Sequence, residues 1–177
     1  FLLHQQTWNK LESYLYNIKN GQTPGKYLAA NLGGWDLSTI SKPRFLEALV
    51  RTKKPLIFAE NWVYGDGRDW NQQELSILGD ISVAMPVTVF DNGLHHHPSV
   101  HQIPFKAHLV FTPGALLKNS RNQKPTDFEE VTYGGKIDPA GFNRLYERRL
   151  LPAFSYINNA AGQMGKSAFI TIPGLGC

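Results

Sequence analysis

The last eleven residues contain a combination of residue types that could bind an anion. Residues 168–172 form a short apolar, β-branched run, which predicts a buried strand. The loop after it consists of Pro173, Gly174, Leu175, Gly176 and Cys177. Two glycines one residue apart let backbone amides approach a ligand closely, and open α/β sheets bind anionic ligands at the carboxyl ends of their strands. We therefore expect a phosphate-binding loop, with a simple strand-to-helix turn as the alternative.

A cluster of histidines forms a second group with chemical potential. Either His96 with His101 or His95 with His97 could supply imidazoles to zinc, as in a hydrolytic metalloenzyme, with His108 or Cys177 added by folding. The spacing matches no established helical zinc motif, and Pro98 prevents a regular helix. A solvated loop, or imidazoles that contact phosphates of a ligand, is the favoured interpretation, and we expect no metal and no cofactor.

Composition limits the class of protein. The chain has 177 residues, of which 42% are hydrophobic and 18% charged, as in a globular domain with a sizeable core. No apolar run is long enough to span a bilayer, so no membrane partner is expected. The single cysteine fits folding in a reducing compartment. The formal charge of +4 permits an anionic ligand, but scattered basic residues do not favour nucleic acid.

Residues 1–73 read as a mainly helical extension. Apolar residues at three- and four-residue spacing predict a helix from Thr7 to Ile18, and Ser41 can cap a second helix with Pro43 in its first turn. Residues 56–59 predict a strand. The polar loop at 64–69 is a connecting turn or a ligand loop that would offer Asp66 and Asp69.

Residues 74–177 show a pattern of strands with a long helix. Strands are predicted at 75–81, 85–90 and 107–112, followed by a loop-like stretch at 116–135. Asp138 and Pro139 predict the start of a long helix, which Pro152 should kink or divide. This order indicates an α/β domain with right-handed crossovers.

Four segments in this second part resemble a macrodomain, in the right order. Residues 79–82 (Gly-Asp-Ile-Ser) and 87–93 resemble the opening of that family, and residues 108–114 resemble its middle strand. The helix from Asp138 and the segment 172–177 resemble its last crossover and second phosphate loop. The family's tri-glycine segment is replaced by residues 94–98 (Leu-His-His-His-Pro), which marks a divergent member.

The resemblance implies a mixed sheet flanked by helices, whose C-terminal part would lie beyond Cys177, and it implies a site for ADP-ribose. Asp80 would accept the adenine amino proton while the Ile81 amide donates to a ring nitrogen. The loop at 173–177 would bind the diphosphate. The alternative for Asp80 is a turn or N-cap aspartate that binds backbone amides.

The resemblance also places the reaction at Asp91, Asn92 and Gly93. Asn92 would bind a hydroxyl of the distal ribose, and Asp91 would orient water toward the anomeric carbon. Glycosidic cleavage passes through an oxocarbenium-like state, which a carboxylate stabilises. The alternative is an ordinary tight turn, since Asp-Asn-Gly is a common turn sequence.

The function implied is binding of ADP-ribose, with its removal from ADP-ribosylated protein as the catalytic version and a non-catalytic reader as the alternative. Divergent macrodomains with extensions suit a bacterial effector, either cytoplasmic or secreted into a host cytosol. A third class is an interaction module in which tryptophans of the N-terminal part form a surface for a partner. The default alternative is that these tryptophans are buried. Those tryptophans are Trp8, Trp35, Trp62 and Trp70.

Overall fold

The computed structural model describes residues 1–53, 70–94, 96–117 and 125–172. The elements in chain order are α1 (Gln5–Lys19), α2 (Lys26–Leu32), a 3₁₀ turn (Leu37–Thr39), α3 (Lys42–Val50), α4 (Gln72–Leu78), β1 (Val83–Val89), β2 (Phe105–Phe111), α5 (Phe128–Val131), β3 (Thr132–Tyr133), β4 (Lys136–Ile137) and α6 (Pro139–Gln163). None of the helices in these ranges has both the length and the apolar character needed to cross a bilayer. The expected strand at 56–59 and the loop at 64–69 lie outside the described residues.

Helices α1, α2, α3 and α4 share one hydrophobic core. The predicted helices at 7–18 and after Ser41 are confirmed as α1 and α3, and their apolar faces bury Leu11, Phe45 and Leu49 completely. The same core continues through Ile77, Leu78 and Ile81. Packing therefore does not stop at the expected boundary between residues 73 and 74, and the division into an extension and a core domain stays a prediction.

The strand predicted at 75–81 is wrong, because residues 72–78 form helix α4. Asn71 and Glu74 make a capping box: the Asn71 side chain accepts from the Glu74 amide, and the Glu74 side chain accepts from the Asn71 amide. This box satisfies amides that the first turn leaves without partners. The helix then buries Ile77 and Leu78 on the face toward α1 and α3.

The next two predicted strands are confirmed as β1 and β2, although their pairing differs from the expectation. They pair antiparallel, from Val83 opposite Phe111 to Val89 opposite Phe105. Right-handed crossovers would require parallel strands, and none of the strands in the described ranges pairs in parallel. The described part of the chain therefore combines helices with small antiparallel sheets.

The stretch at 116–135, expected to be loop-like, contains regular structure in its described part. Helix α5 is followed by the β3–β4 hairpin, in which Thr132 pairs with Ile137 and Tyr133 with Lys136. Gly134 and Gly135 form the two-residue turn with φ angles of +59° and +77°. Positive φ at both positions is the requirement of a type I′ turn, which suits glycine.

Helix α6 begins where the sequence predicts. The Asp138 carboxylate caps it by accepting from the amides of Ala140 and Gly141. The helix continues past Pro152 to Gln163, so of the two expected effects of this proline, a kink or a division, the division is wrong and the kink stays a prediction. The buried strand expected at 168–172 is also wrong: these residues are not in a strand, and Phe169 is 95% exposed. Their β-branched composition does not suffice, because a strand needs a partner for its amides and carbonyls.

Candidate functional site

Asp80 lies at the centre of a buried ionic cluster. It follows the C-terminal end of α4 and is 1% exposed. Its Oδ2 atom lies 2.9 Å from Lys10 Nζ on α1 and 2.7 Å from Arg148 Nε on α6, while Oδ1 lies 3.0 Å from Arg149 Nε. One carboxylate thus joins three cations from α1 and α6.

The two arginines extend this cluster to α5 and to the segment after β2. Arg148 donates to both carboxylate oxygens of Glu130 at 2.7 Å. Arg149 donates to Asp127 Oδ1 at 2.7 Å and to the carbonyl oxygen of Gly114 at 2.8 Å. The planar fork of arginine suits such paired contacts.

Among the groups joined by these hydrogen bonds, three acids face three cations, and the pKa values of Asp80 and Glu130 reflect this pairing. Burial alone would raise the pKa of Asp80, but hydrogen bonds from Arg148 and Lys10 outweigh burial and hold it below its ordinary value. The hydrogen bond from Arg148 likewise lowers the pKa of Glu130. Both carboxylates are therefore ionised at neutral pH and stay paired.

The macrodomain-like motif at 79–82 packs directly on Arg149. A Cβ atom on Gly79 would lie 3.1 Å from Arg149 Nη2, so glycine leaves the room that the guanidinium uses. Ser82 Oγ lies 3.3 Å from the Arg149 carbonyl oxygen and 3.0 Å from Thr112 Oγ1. The motif thus fixes α6 against the start of β1.

The two residues expected to contact adenine, Asp80 and Ile81, are both buried in this environment. The sequence left two roles open for Asp80, adenine recognition and the binding of backbone amides. In the structure its carboxylate binds cationic side chains, which is a role that the sequence analysis did not consider. Ile81, which was expected to donate its amide to adenine, is 6% exposed. The ligand-binding roles of both residues stay predictions, and a ligand would have to reach a carboxylate that already has three partners.

A second polar site organises the loop after β1. Asp91 Oδ1 accepts from the Gly93 amide at 2.9 Å, and Oδ2 accepts from the His101 amide at 3.0 Å. Asn92 Oδ1 accepts from the Leu94 amide at 3.0 Å. Gly93 has a φ angle of +72°, as a tight turn requires. Asp91 therefore ties the beginning of this loop to its end.

The charge of Asp91 is set by these backbone contacts. The His101 amide, followed by the Gly93 amide, lowers the pKa of Asp91. The side chain is partly exposed, and each carboxylate oxygen keeps a second lone pair. Asp91 is therefore an ionised carboxylate at neutral pH that can accept a further hydrogen bond. Its catalytic role, and the roles of Asn92 and Gly93 toward a ribose, stay predictions.

The two predicted parts of the site lie at opposite ends of β1. Asp80 precedes this seven-residue strand and Asp91 follows it. At about 3.3 Å per residue, the strand separates them by about 20 Å. A ligand that contacts both would have to extend along the strand. The predicted loop of Pro173, Gly174, Leu175, Gly176 and Cys177 lies outside the described residues, so its place beside either end also stays a prediction.

Three of the histidines in the described ranges each contact a different partner. His96 Nδ1 is 3.1 Å from the Pro98 carbonyl oxygen, the His101 ring packs on Phe105, and His108 Nδ1 lies 3.0 Å from the Tyr156 hydroxyl. No group of three potential metal ligands occurs within the part of the chain that the structure describes. His95 and Cys177, which the zinc hypothesis also uses, lie outside that part.

The sequence analysis missed the acids and cations that surround Asp80. The signal that could have found them is the pair Arg148–Arg149 in α6, between apolar residues of helical period. Both arginines lie one helical turn after Leu145, so they share its buried face, and a buried arginine requires acidic partners. The partners themselves carry no local signal, because Lys10 and Asp80 are 70 residues apart.

Comparison with known proteins identifies the family. None of the curated proteins compared with the chain matches it. A family model described as macrodomain effector MavL matches residues 1–177 and thus includes both the N-terminal helices and the segments that resemble a macrodomain. The resemblance seen in residues 79–93 and 108–114 is confirmed at the level of the family. The chain belongs to the macrodomain effector MavL family.

Proposed function

We propose that this chain binds ADP-ribose and removes it from ADP-ribosylated protein. The observation that carries the proposal is the match of the macrodomain effector family over residues 1–177. Macrodomains as a class recognise ADP-ribose, and a net charge of +4 suits a ligand with a diphosphate. The effector description further supports action inside a host cell after secretion by a bacterium.

The loop at 91–101 supplies the residue for the chemical step. Asp91 is ionised, partly exposed and held in place by two backbone amides. Such a carboxylate can orient water or stabilise positive charge that develops on the anomeric carbon. Because the protein fixes its position before the substrate arrives, little reorganisation is needed in the reaction.

A non-catalytic reader is the second candidate. The observation that favours it is that both Asp91 oxygens already accept backbone hydrogen bonds, as expected of a residue whose task is to shape a loop. In a reader, this loop would contact the ligand without a chemical step. The two candidates share the binding of ADP-ribose and differ in turnover.

A single-turnover assay with an ADP-ribosylated protein separates these candidates. We expect release of ADP-ribose by the wild-type chain and a loss of about 100-fold or more in Asp91→Asn, which removes the charge but retains an acceptor. The matched control is Asp36→Asn, because Asp36 also accepts a backbone amide in an exposed turn, at Ser38. Binding without release by the wild type would support the reader, and unchanged turnover in Asp91→Asn would move catalysis elsewhere.

A further inference from the structure

An open groove lies between α2 and α3, on a part of the molecule that the proposed site does not use. It encloses about 540 Å³, within the range of pockets that bind ligands or side chains. The residues lining it include Asn31, Trp35, Pro43, Arg44, Glu47 and Arg51. The tryptophan singled out at position 35 therefore lies in a groove and is only partly buried.

The walls of the groove are joined by a specific contact. Asn31 Nδ2 on α2 donates to the Ala48 carbonyl oxygen on α3 at 3.0 Å. Arg44 on α3 and Arg51, which caps the end of α3 with helical backbone angles, lie seven residues apart, which places them on one face about 10 Å apart. The groove therefore presents a fixed, elongated surface with a cation toward each end.

The two cations differ in their partners. Arg51 pairs with Glu47 at 2.6 Å. The Arg44 guanidinium instead lies 4.4 Å from the centre of the Trp35 ring, and within the described ranges it has no acidic partner. Stacking on tryptophan orients the guanidinium without neutralising it, so its charge remains available to an anion.

We propose that this groove docks an acidic peptide segment of a partner protein. A carboxylate of the segment pairs with Arg44, while an apolar or aromatic side chain beside it packs on Trp35 and Pro43. Because Glu47 already pairs with Arg51, the described residues of the groove offer the single unneutralised cation Arg44, which suits one carboxylate better than the run of phosphates in a nucleic acid. The segment would be extended, because the groove follows about two turns of α3.

The test measures binding of a short fluorescein-labelled peptide of Glu, Leu and Trp to the chain by fluorescence anisotropy. We expect the wild-type chain to bind this peptide and not the version in which Lys replaces Glu. Arg44→Glu should weaken binding about tenfold or more, because it places like charges together. Arg144→Glu is the matched control, since Arg144 is an exposed arginine on α6, away from the groove, and this variant should bind normally.

Two results would overturn the proposal. One is equal affinity of the wild type and Arg44→Glu for the acidic peptide, or no binding by either, with both proteins folded by circular dichroism. The other is tighter binding of an oligothymidylate that also depends on Arg44, which would assign the groove to nucleic acid. Titration with ADP-ribose should be unaffected by Arg44→Glu, so the outcome is independent of the proposed function.

Discussion

Asp80 shows how a single carboxylate can hold distant parts of a chain together. Moving a charge out of water is costly, and the cost is offset only where the charge is paired and hydrogen-bonded. Here Lys10, Arg148 and Arg149 offset it for Asp80, and Asp127 and Glu130 do the same for the arginines. Loss of one member leaves the others buried without a full set of partners.

Replacement of Asp80 by alanine should therefore reduce stability strongly. Removing one partner from a buried ion pair costs about 3–5 kcal/mol. Urea unfolding followed by circular dichroism measures the free energy of unfolding. The matched control is Glu47→Ala, which removes an exposed carboxylate paired at i,i+4 and should cost less than about 1 kcal/mol. Equal stability of Asp80→Ala and the wild type would contradict the structural role and favour the ligand role.

The same cluster predicts how stability depends on pH. The pKa values of Asp80 and Glu130 in the folded chain lie below their ordinary values of 3.8 and 4.5. Their stabilising contribution is therefore complete above these ordinary values and is lost as the pH falls through the lower, folded values. Urea unfolding at a series of pH values should show stability from these groups falling below about pH 4.

The variant Asp80→Asn tests the origin of that acid dependence. It lacks the titrating carboxylate, so its free energy of unfolding should fall less steeply between about pH 4 and pH 2 than that of the wild type. An identical slope in the two proteins would show that other groups cause the acid dependence. Comparison at neutral pH gives the cost of the lost charge in the same experiment.

At the scale of elements, periodicity predicted the long helices and failed for short ones. The start of α6 and the apolar faces of α1 and α3 follow from spacing and caps in the sequence. Helix α4 has seven residues, too few for periodicity to separate a helix from a strand. Its capping box, Asn71 with Glu74, was the available signal. Residues 168–172 have the composition of a strand, but pairing cannot be read from composition.

Two glycines in α6 provide a test of element packing. A Cβ atom on Gly141 would overlap the carbonyl oxygen of Glu130, whereas one on Gly162 meets nothing within 4 Å. Gly141→Ala should destabilise the chain by about 1–3 kcal/mol because α5 must move. Gly162→Ala should stabilise it by about 0.5–1 kcal/mol through helix propensity. Thermal unfolding measures both, and equal shifts of Tm would contradict the close contact between α5 and α6.

For the whole molecule, the sequence predicted the family better than the arrangement of the site. The family resemblance depends on short segments and their order, and both can be recognised in a single sequence. The arrangement depends on contacts such as Lys10 with Asp80 and Arg149 with Gly114, whose partners are far apart in the chain. Local patterns cannot specify such pairs, so the cluster around Asp80 was not foreseen. The antiparallel pairing of β1 with β2 was missed for the same reason.

Calorimetric titration of the chain with ADP-ribose tests the central claim most directly. The account predicts saturable binding of one ADP-ribose per chain, with AMP or ribose 5-phosphate binding more weakly because each offers only part of the ligand. Absence of heat and of binding across the titration, with the protein folded by circular dichroism, would contradict it.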